Sequence, residues 1–245
     1  MINGISHRHG SYLALIDWNE NDAKKPIPDL GDNKDRVFFR KTDFPEWDDV
    51  LAAFEGAFDK FGVIDAVISN AGINAEALLA EEYDHTTGKL KRPNLKKIQI
   101  NLIAHIFVAL LQGIIDTPPL YQYCAAKHGL LGLMREFRSR VFDWNITINM
   151  VAPWMTVTPM LPESIKEIRG GLSQNSPAGI AQALILPLLN QSINGKTFFV
   201  AGNEVIELED KLQETQGLCM GEPLNTNVIE GQRRLIPVGI NPEKK

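Results

Sequence analysis

The run from residue 46 to residue 72 (EWDDVLAAFEGAFDKFGVIDAVISNAG) constrains the fold more than any other stretch of the chain. Its first part repeats apolar side chains at spacings of mostly three and four, through Val50, Leu51, Phe54, Phe58 and Phe61, the period of a helix with one buried face. Gly62 then supplies the stop. Residues 63–69 (VIDAVIS) follow as a short apolar run that ends at Asn70-Ala71-Gly72. Such a run reads as a strand covered on both faces, and a helix leading into a buried strand is the rhythm of a parallel sheet.

The same alternation continues on either side. Residues 12–17 (YLALID) form a short apolar run ending in an acid, which reads as a buried strand delivering a carboxylate at its C-terminal end. A polar loop containing prolines spans residues 19–35, and residues 37–39 begin a second strand that ends near Asp43, closed by the turn around Pro45. Beyond Gly72 the pattern predicts a polar loop over 81–94, a largely buried helix over 95–111 stopped by Pro118 and Pro119, and a long helix over 120–142. A strand over 146–151, a helix over 178–189 and a last strand over 196–200 complete the series. Residues 207–245, of mixed polarity with Pro223, Pro237 and Pro242, read as an irregular extension packed on a domain of residues 1–206. One sizeable α/β domain accounts for 245 residues of which 44% are hydrophobic.

A net charge of −5 and a pI near 5.6 give no electrostatic reason to expect nucleic acid or an anionic membrane as partner. The two cysteines, Cys124 and Cys219, lack disulfide or ligand spacing. The histidines (His7, His9, His85, His105 and His128) show no ligand pattern beyond the short His7/His9 pair, so no metal is expected. The first ten residues carry no apolar leader and no later run reaches membrane-spanning length, so a soluble cytoplasmic protein is expected.

Tyr123 and Lys127 lie four residues apart on a predicted helix, where side chains at i and i+4 share a face. A free tyrosine titrates near ~10 and is a poor acid or base at neutral pH unless a cation stabilises its phenolate. Lys127 is placed to be that cation. Hydride exchange at a carbinol carbon needs a matching proton at the oxygen, which such a tyrosine can supply or remove. The spacing alone is weak, since it arises by chance in roughly one chain in four at ordinary composition. Its surroundings are specific: residues 119–135 (PLYQYCAAKHGLLGLMR) resemble, nearly residue for residue, the active-site helix of the short-chain dehydrogenase/reductases.

That resemblance implies a Rossmann-like, doubly wound parallel sheet and an NAD(P)-dependent oxidoreductase of secondary metabolism. It would interconvert a secondary alcohol and a ketone on a small apolar metabolite, as a homodimer or homotetramer. Tyr123 becomes the acid/base, Lys127 the group that lowers its pKa, and Asn101 the helix asparagine that holds a relay water. Asp17 falls where the family's strand-end acid binds the adenosine ribose, which favours NAD over NADP. Taken alone it is a solvated strand-end acid. Asp43 matches the acid that meets the adenine amine, and by itself is an ordinary turn aspartate. Asn70, Ala71 and Gly72 match the motif at the end of the fourth strand, where small residues let the backbone approach the cofactor. Residues 149–158 (NMVAPWMTVT) resemble the segment that clasps the nicotinamide. There Trp154 stands in place of a glycine, Thr156 stands where a backbone contact to the carboxamide is made, and Thr158 keeps a hydroxyl.

Two departures accompany the resemblance. The family's glycine-rich phosphate loop belongs about 20 residues before the ribose acid, yet only sixteen residues precede Asp17. The first strand, that loop and most of the first helix are therefore expected to be missing. Asn101 and Tyr123 are 22 positions apart, where the family needs about 40 to fit a helix, the fifth strand and the catalytic serine. No serine lies between them. Clean block losses beside intact motifs favour an incomplete reading of a longer gene product over decay. The competing function is a non-redox binding or dimerisation module that uses the helices over 95–111 and 120–142.

Overall fold

The computed structural model describes residues 11–25, 27, 35–73, 83–84, 86–89, 98–103, 121–158 and 170–235, without the side chains of residues 121, 122, 140, 142, 143 and 235. Strand β1 (Leu13–Asp17) pairs in parallel with β2 (Val37–Lys41), in a register running from Leu13↔Val37 to Asp17↔Lys41. Between them lies a short helix, α1 (Glu20–Lys24), where the polarity predicts only loop. Asn19 starts it by accepting the Asp22 N–H at 3.2 Å, and Glu20 and Asp22 sit at the positive end of the helix with Lys24 at the negative one. These local electrostatics need no apolar face, which is why hydrophobic periodicity does not reveal the helix.

Helix α2 (Trp47–Phe61) follows the expected bounds and ends at Gly62, whose φ of 77° lets its N–H reach the Phe58 carbonyl at 2.7 Å. Its buried stripe is narrower than the apolar pattern suggests. Val50, Ala53 and Ala57 are covered, whereas Leu51 and Phe58 are exposed. Close packing explains the small residues: a Cβ on Gly56 would stand 2.8 Å from Cζ of Phe38 on β2.

The second ladder is β3 (Met150–Pro153), β4 (Thr197–Ala201) and β5 (Glu204–Glu207), with β3–β4 parallel and β4–β5 antiparallel. Gly202 and Asn203 make the two-residue turn before β5 with φ of 62° and 65°, the left-handed pair that suits a right-twisted hairpin. Helix α3 (Tyr121–Arg140) and helix α4 (Pro177–Leu189) cover this ladder. Leu130, Met134, Met150 and Val200 are wholly buried in one cluster with Ile180, Leu184 and Phe198. The Ser176 hydroxyl caps α4 by accepting the Gly179 N–H at 3.1 Å, and Pro177 opens the helix where no donor is needed.

Residues 63–69 do not form the buried strand that their composition predicts. Val63, Ile64 and Val67 are exposed, and only Ile68 and Ser69 are covered. A strand exists through its ladder, and this segment has no ladder partner among the described residues. Instead, Val67, Ile68 and Ser69 share the lining of a cavity of about 100 Å³ with Thr147, Ile148, Asn149 and Val151 of the β3 segment.

The C-terminal region also differs from expectation. Residues 209–235 are two helices, α5 (Glu209–Met220) and α6 (Glu222–Leu235), joined at Gly221 with φ of 80°. Pro223, read as loop punctuation, occupies the second position of α6, where a missing N–H costs nothing. The predicted helix over 95–111 is described only at a π-helical turn, Gln99–Ile103. Most of the loop over 81–94, the stop at Pro118 and Pro119, and the chain beyond residue 235 lie outside the described residues.

The C-terminal helices are tied to α3 by one carboxylate. Glu209, 8% exposed, accepts two hydrogen bonds from Arg135 Nε and Nη2 at 3.0 Å, another from Arg138 at 3.2 Å and one from the Thr197 hydroxyl at 2.9 Å. Burial pushes this carboxyl up, but Arg135, Thr197 and Arg138 together bring it below the usual value of 4.5. A carboxyl depressed in the folded state adds stability above its unfolded pKa and loses it as pH falls through the folded value. Glu209→Gln is therefore expected to cost about 1–3 kcal/mol at neutral pH, a loss typical of a charge-assisted bond. Urea denaturation should show that cost shrinking as the medium is acidified below pH ~4.5.

Candidate active site

The two side chains singled out on α3 sit one helical turn apart on a helix whose next turns are locked into the core by Leu130, Leu131 and Met134. Lys127 is 7% exposed, and its Nζ lies 5.4 Å from the centroid of the Tyr123 ring. The ammonium thus meets the ring face, an attraction of cation and π quadrupole. Burial holds Lys127 down to about 8. The same burial, with a smaller push from Cys124, raises Tyr123 above its ordinary value. In this arrangement desolvation outweighs the stabilisation that the sequence assigns to Lys127, so Tyr123 keeps its proton at neutral pH.

Asn101 is fully buried in the π-helical turn, a distortion that often marks functional positions. Its Oδ1 accepts the Ile73 N–H at 2.9 Å and its Nδ2 donates to the Ile73 carbonyl at 3.0 Å. This double clasp fixes the end of the Asn70-Ala71-Gly72 turn. A Cβ on Gly72 would come within 3.4 Å of Asn101 Oδ1, so the glycine allows the approach. Asn70 itself is exposed and Ala71 is half-buried. Leu102, beside Asn101, packs on Gly129 of α3, where a Cβ would stand 3.2 Å away. The structure therefore links the Gly72 turn to α3 through this one turn of chain.

Asp17 ends β1 and Asp43 lies two residues beyond β2, both at the C-terminal edge of the ladder, the edge at which open α/β sheets bind ligands. Asp17 Oδ1 accepts the Asn19 N–H at 2.8 Å, and the Asp17 carbonyl accepts the Thr42 N–H at 3.0 Å. Asp43 is exposed and donates its N–H to Asp49 at 2.9 Å. Thr42, 1% exposed with a hydroxyl that has no hydrogen-bond partner among the described residues, is a buried polar group at this corner. A carboxylate with acceptor capacity to spare fits the hydroxyls of a ribose. Residues 1–10, which precede this ladder, lie outside the described residues.

Thr156 and Thr158 are half-buried after β3, and the Thr156 hydroxyl donates to the Trp154 carbonyl at 3.0 Å. Their segment is positioned by Asn175, which the sequence reading passes over. The Asn175 backbone pairs with Met155 and Val157 at 2.7 and 3.0 Å. Its Nδ2 donates to the Val200 and Trp154 carbonyls at 2.8 and 3.2 Å, while its Oδ1 accepts the Asn203 N–H at 2.9 Å. The available signal was a polar residue directly before the Ser176-Pro177 helix start, a place where a side chain can bond neighbouring backbone.

A family model described as short chain dehydrogenase matches residues 6–169. The chain belongs to that family. It shares 26% identity with the short-chain dehydrogenase/reductase prx4 of Penicillium roqueforti, over 94% of this chain and 78% of that protein. With 5'-hydroxyaverantin dehydrogenase of Dothistroma septosporum it shares 24%, over 84% and 81%. Among solved structures, ElxO with NADP bound superposes with a TM-score of 0.62 at 19% identity, covering 78% of this chain and 87% of that one. The short-chain dehydrogenase has the family's Rossmann-like α/β fold. It is an oxidoreductase of the NAD(P)-dependent class that acts on CH–OH groups.

The Asn101 clasp generates a direct test. Asn101→Leu leaves the Ile73 N–H and carbonyl unpaired, at an expected cost of about 2–3 kcal/mol. Hydrogen exchange at the Ile73 amide should accelerate in this variant.

Proposed function

We propose that this short-chain dehydrogenase interconverts a secondary alcohol and a ketone on a small apolar metabolite, with Tyr123 exchanging the proton at the substrate oxygen. The observation that carries this reading is the half-buried Tyr123 one turn from the buried Lys127, with the ammonium 5.4 Å from the ring centre. The nicotinamide, when bound, supplies or takes up the hydride. A phenol that keeps its proton at neutral pH is suited to giving it to an oxygen that gains negative charge. Once that proton leaves, the Lys127 ammonium offsets the phenolate charge in a poorly solvated site. Asn101, as a positioning residue, keeps the Gly72 turn in place beside α3.

We assign NAD as the favoured cofactor, on the strand-end carboxylate of Asp17, with Asp43 toward the adenine and the Gly72 turn, Thr156 and Thr158 toward the nicotinamide. ElxO, a neighbour in fold, was solved with NADP, so exclusion of NADP is not part of this assignment. The proposed setting is a cytoplasmic homodimer or homotetramer of secondary metabolism, supported by strongly exposed Leu189 and Leu218 and by two cysteines without disulfide spacing. A second reading, a non-redox binding or dimerisation module, draws on the exposed apolar row Val63, Ile64 and Val67.

The two readings separate on Tyr123→Phe. The redox reading expects turnover to fall by a factor of ~10²–10⁴ with cofactor affinity retained, and the binding reading expects no functional change. The pH profile gives a further check. Lys127 is charged below about 8 and neutral above it, so ketone reduction should decline above that pH, and Lys127→Met should remove this limb.

A further inference from the structure

The register of the first ladder sets Lys41 directly beside Asp17. Paired residues of neighbouring parallel strands point to the same face, and neighbouring strands are about 4.8 Å apart. Both residues end their strands at the edge that receives ligands. Lys41 is exposed, and its charge reaches the first turn of α1. There the Glu20 carboxyl is held below its ordinary range chiefly by the Lys24 hydrogen bond, with Lys41 adding a smaller share. The neighbouring ammonium groups are engaged, Lys24 by Glu20 and Lys25 by Asp22. Among the described residues Lys41 has no such hydrogen-bonded partner.

A hydroxyl at the 2′ position of an adenosine ribose needs only an acceptor, which Asp17 provides. A phosphate at the same position brings up to two negative charges against that carboxylate and needs a cation nearby. The four-carbon stem of Lys41 can carry its ammonium across the strand spacing to a group held at Asp17. We propose that Lys41 is a specificity-determining residue for the 2′ position, taking the 2′-phosphate of NADP so that Asp17 favours NAD without shutting NADP out. This rests on the reading of Asp17 as the ribose-binding acid. Asp17 is the attractive element for NAD and the repulsive one for NADP, and Lys41 limits the repulsion.

Calorimetric titration of the full chain with NAD and with NADP tests this without turnover. Lys41→Met is expected to raise the ratio of the NADP to the NAD dissociation constant by roughly five- to tenfold, and Lys41→Arg to hold it near the wild-type value. The effect should shrink when salt is raised from about 0.05 to about 0.5 M. An unchanged ratio in the Met variant, with NAD still bound, overturns the role of Lys41 and leaves the Asp17 reading standing. Equal weakening of both cofactors in a variant with wild-type circular dichroism also overturns it. Binding of neither cofactor to the wild-type chain overturns the Asp17 reading, and the role of Lys41 with it.

Discussion

The packing of α3 is the constraint on which the rest of the described structure depends. Leu130, Leu131 and Met134 press its middle into the cluster around Met150, Phe198 and Val200. Farther along, Arg135 and Arg138 grip Glu209 at the start of α5. A helix held by an apolar face and an ionic clasp cannot easily rotate about its axis. The orientation of its N-terminal turns, with Tyr123 and Lys127, follows from contacts made farther along the chain. The hydrophobic contacts supply most of the energy, since a buried leucine or methionine is worth roughly 2–5 kcal/mol by truncation. The Glu209 cluster contributes less to stability, because much of its Coulombic gain offsets the desolvation of a buried carboxylate.

The same burial sets the electrostatics of the pair. Desolvation disfavours whichever form is charged, so it lowers Lys127 to about 8 and raises Tyr123. The two groups move toward mutual neutrality, the reverse of a preformed phenolate beside an ammonium. Charge therefore develops on the tyrosine only when the reaction removes its proton, and the lysine near the ring face is already in place when that happens. A titration close to neutral pH also makes the pair responsive to conditions in a way that two ordinary groups near 10 would not be.

Much of this was legible because helix and strand periods follow directly from apolar spacing. Helices α2, α3 and α4 and strands β1, β2 and β4 lie close to where the pattern puts them, whereas β3 starts at Met150 rather than at residue 146. The misses have separate physical causes. Helix α1 is stabilised by its cap and end charges, which leave no apolar stripe. Pro223 resembles a breaker until the helix start is placed one residue before it. The Gly202-Asn203 turn was readable as a hairpin signal, and β5 should have been expected from it. Residues 63–69 carry the composition of a buried strand, but composition sets a preference and pairing requires partners. At the proposed site, Tyr123, Lys127 and Asn101 were singled out by their likeness to the family's motifs. Asn175 and Lys41 were not, because their roles arise from a loop clasp and a strand register that only the assembled backbone defines.

The segment that failed to become a strand still couples the ladder side of the molecule to the proposed site. Its N-terminal half is solvated, yet Ile68 enters the α3–β3 core and Ile73 is clasped by Asn101. Backbone groups without a ladder are tolerated where water can satisfy them, and Val63, Ile64 and Val67 are exposed as that requires. From residue 68 to residue 73 most of the segment is covered, Asn70 excepted, and at Ile73 a buried side chain pairs with both backbone groups. An amide side chain is suited to this because it carries donor and acceptor together and can match one residue's N–H and C=O at once. Asn101 thus stands in for one rung of a ladder. That local substitution keeps the Asn70-Ala71-Gly72 turn positioned although the segment leading to it is in neither ladder among the described residues.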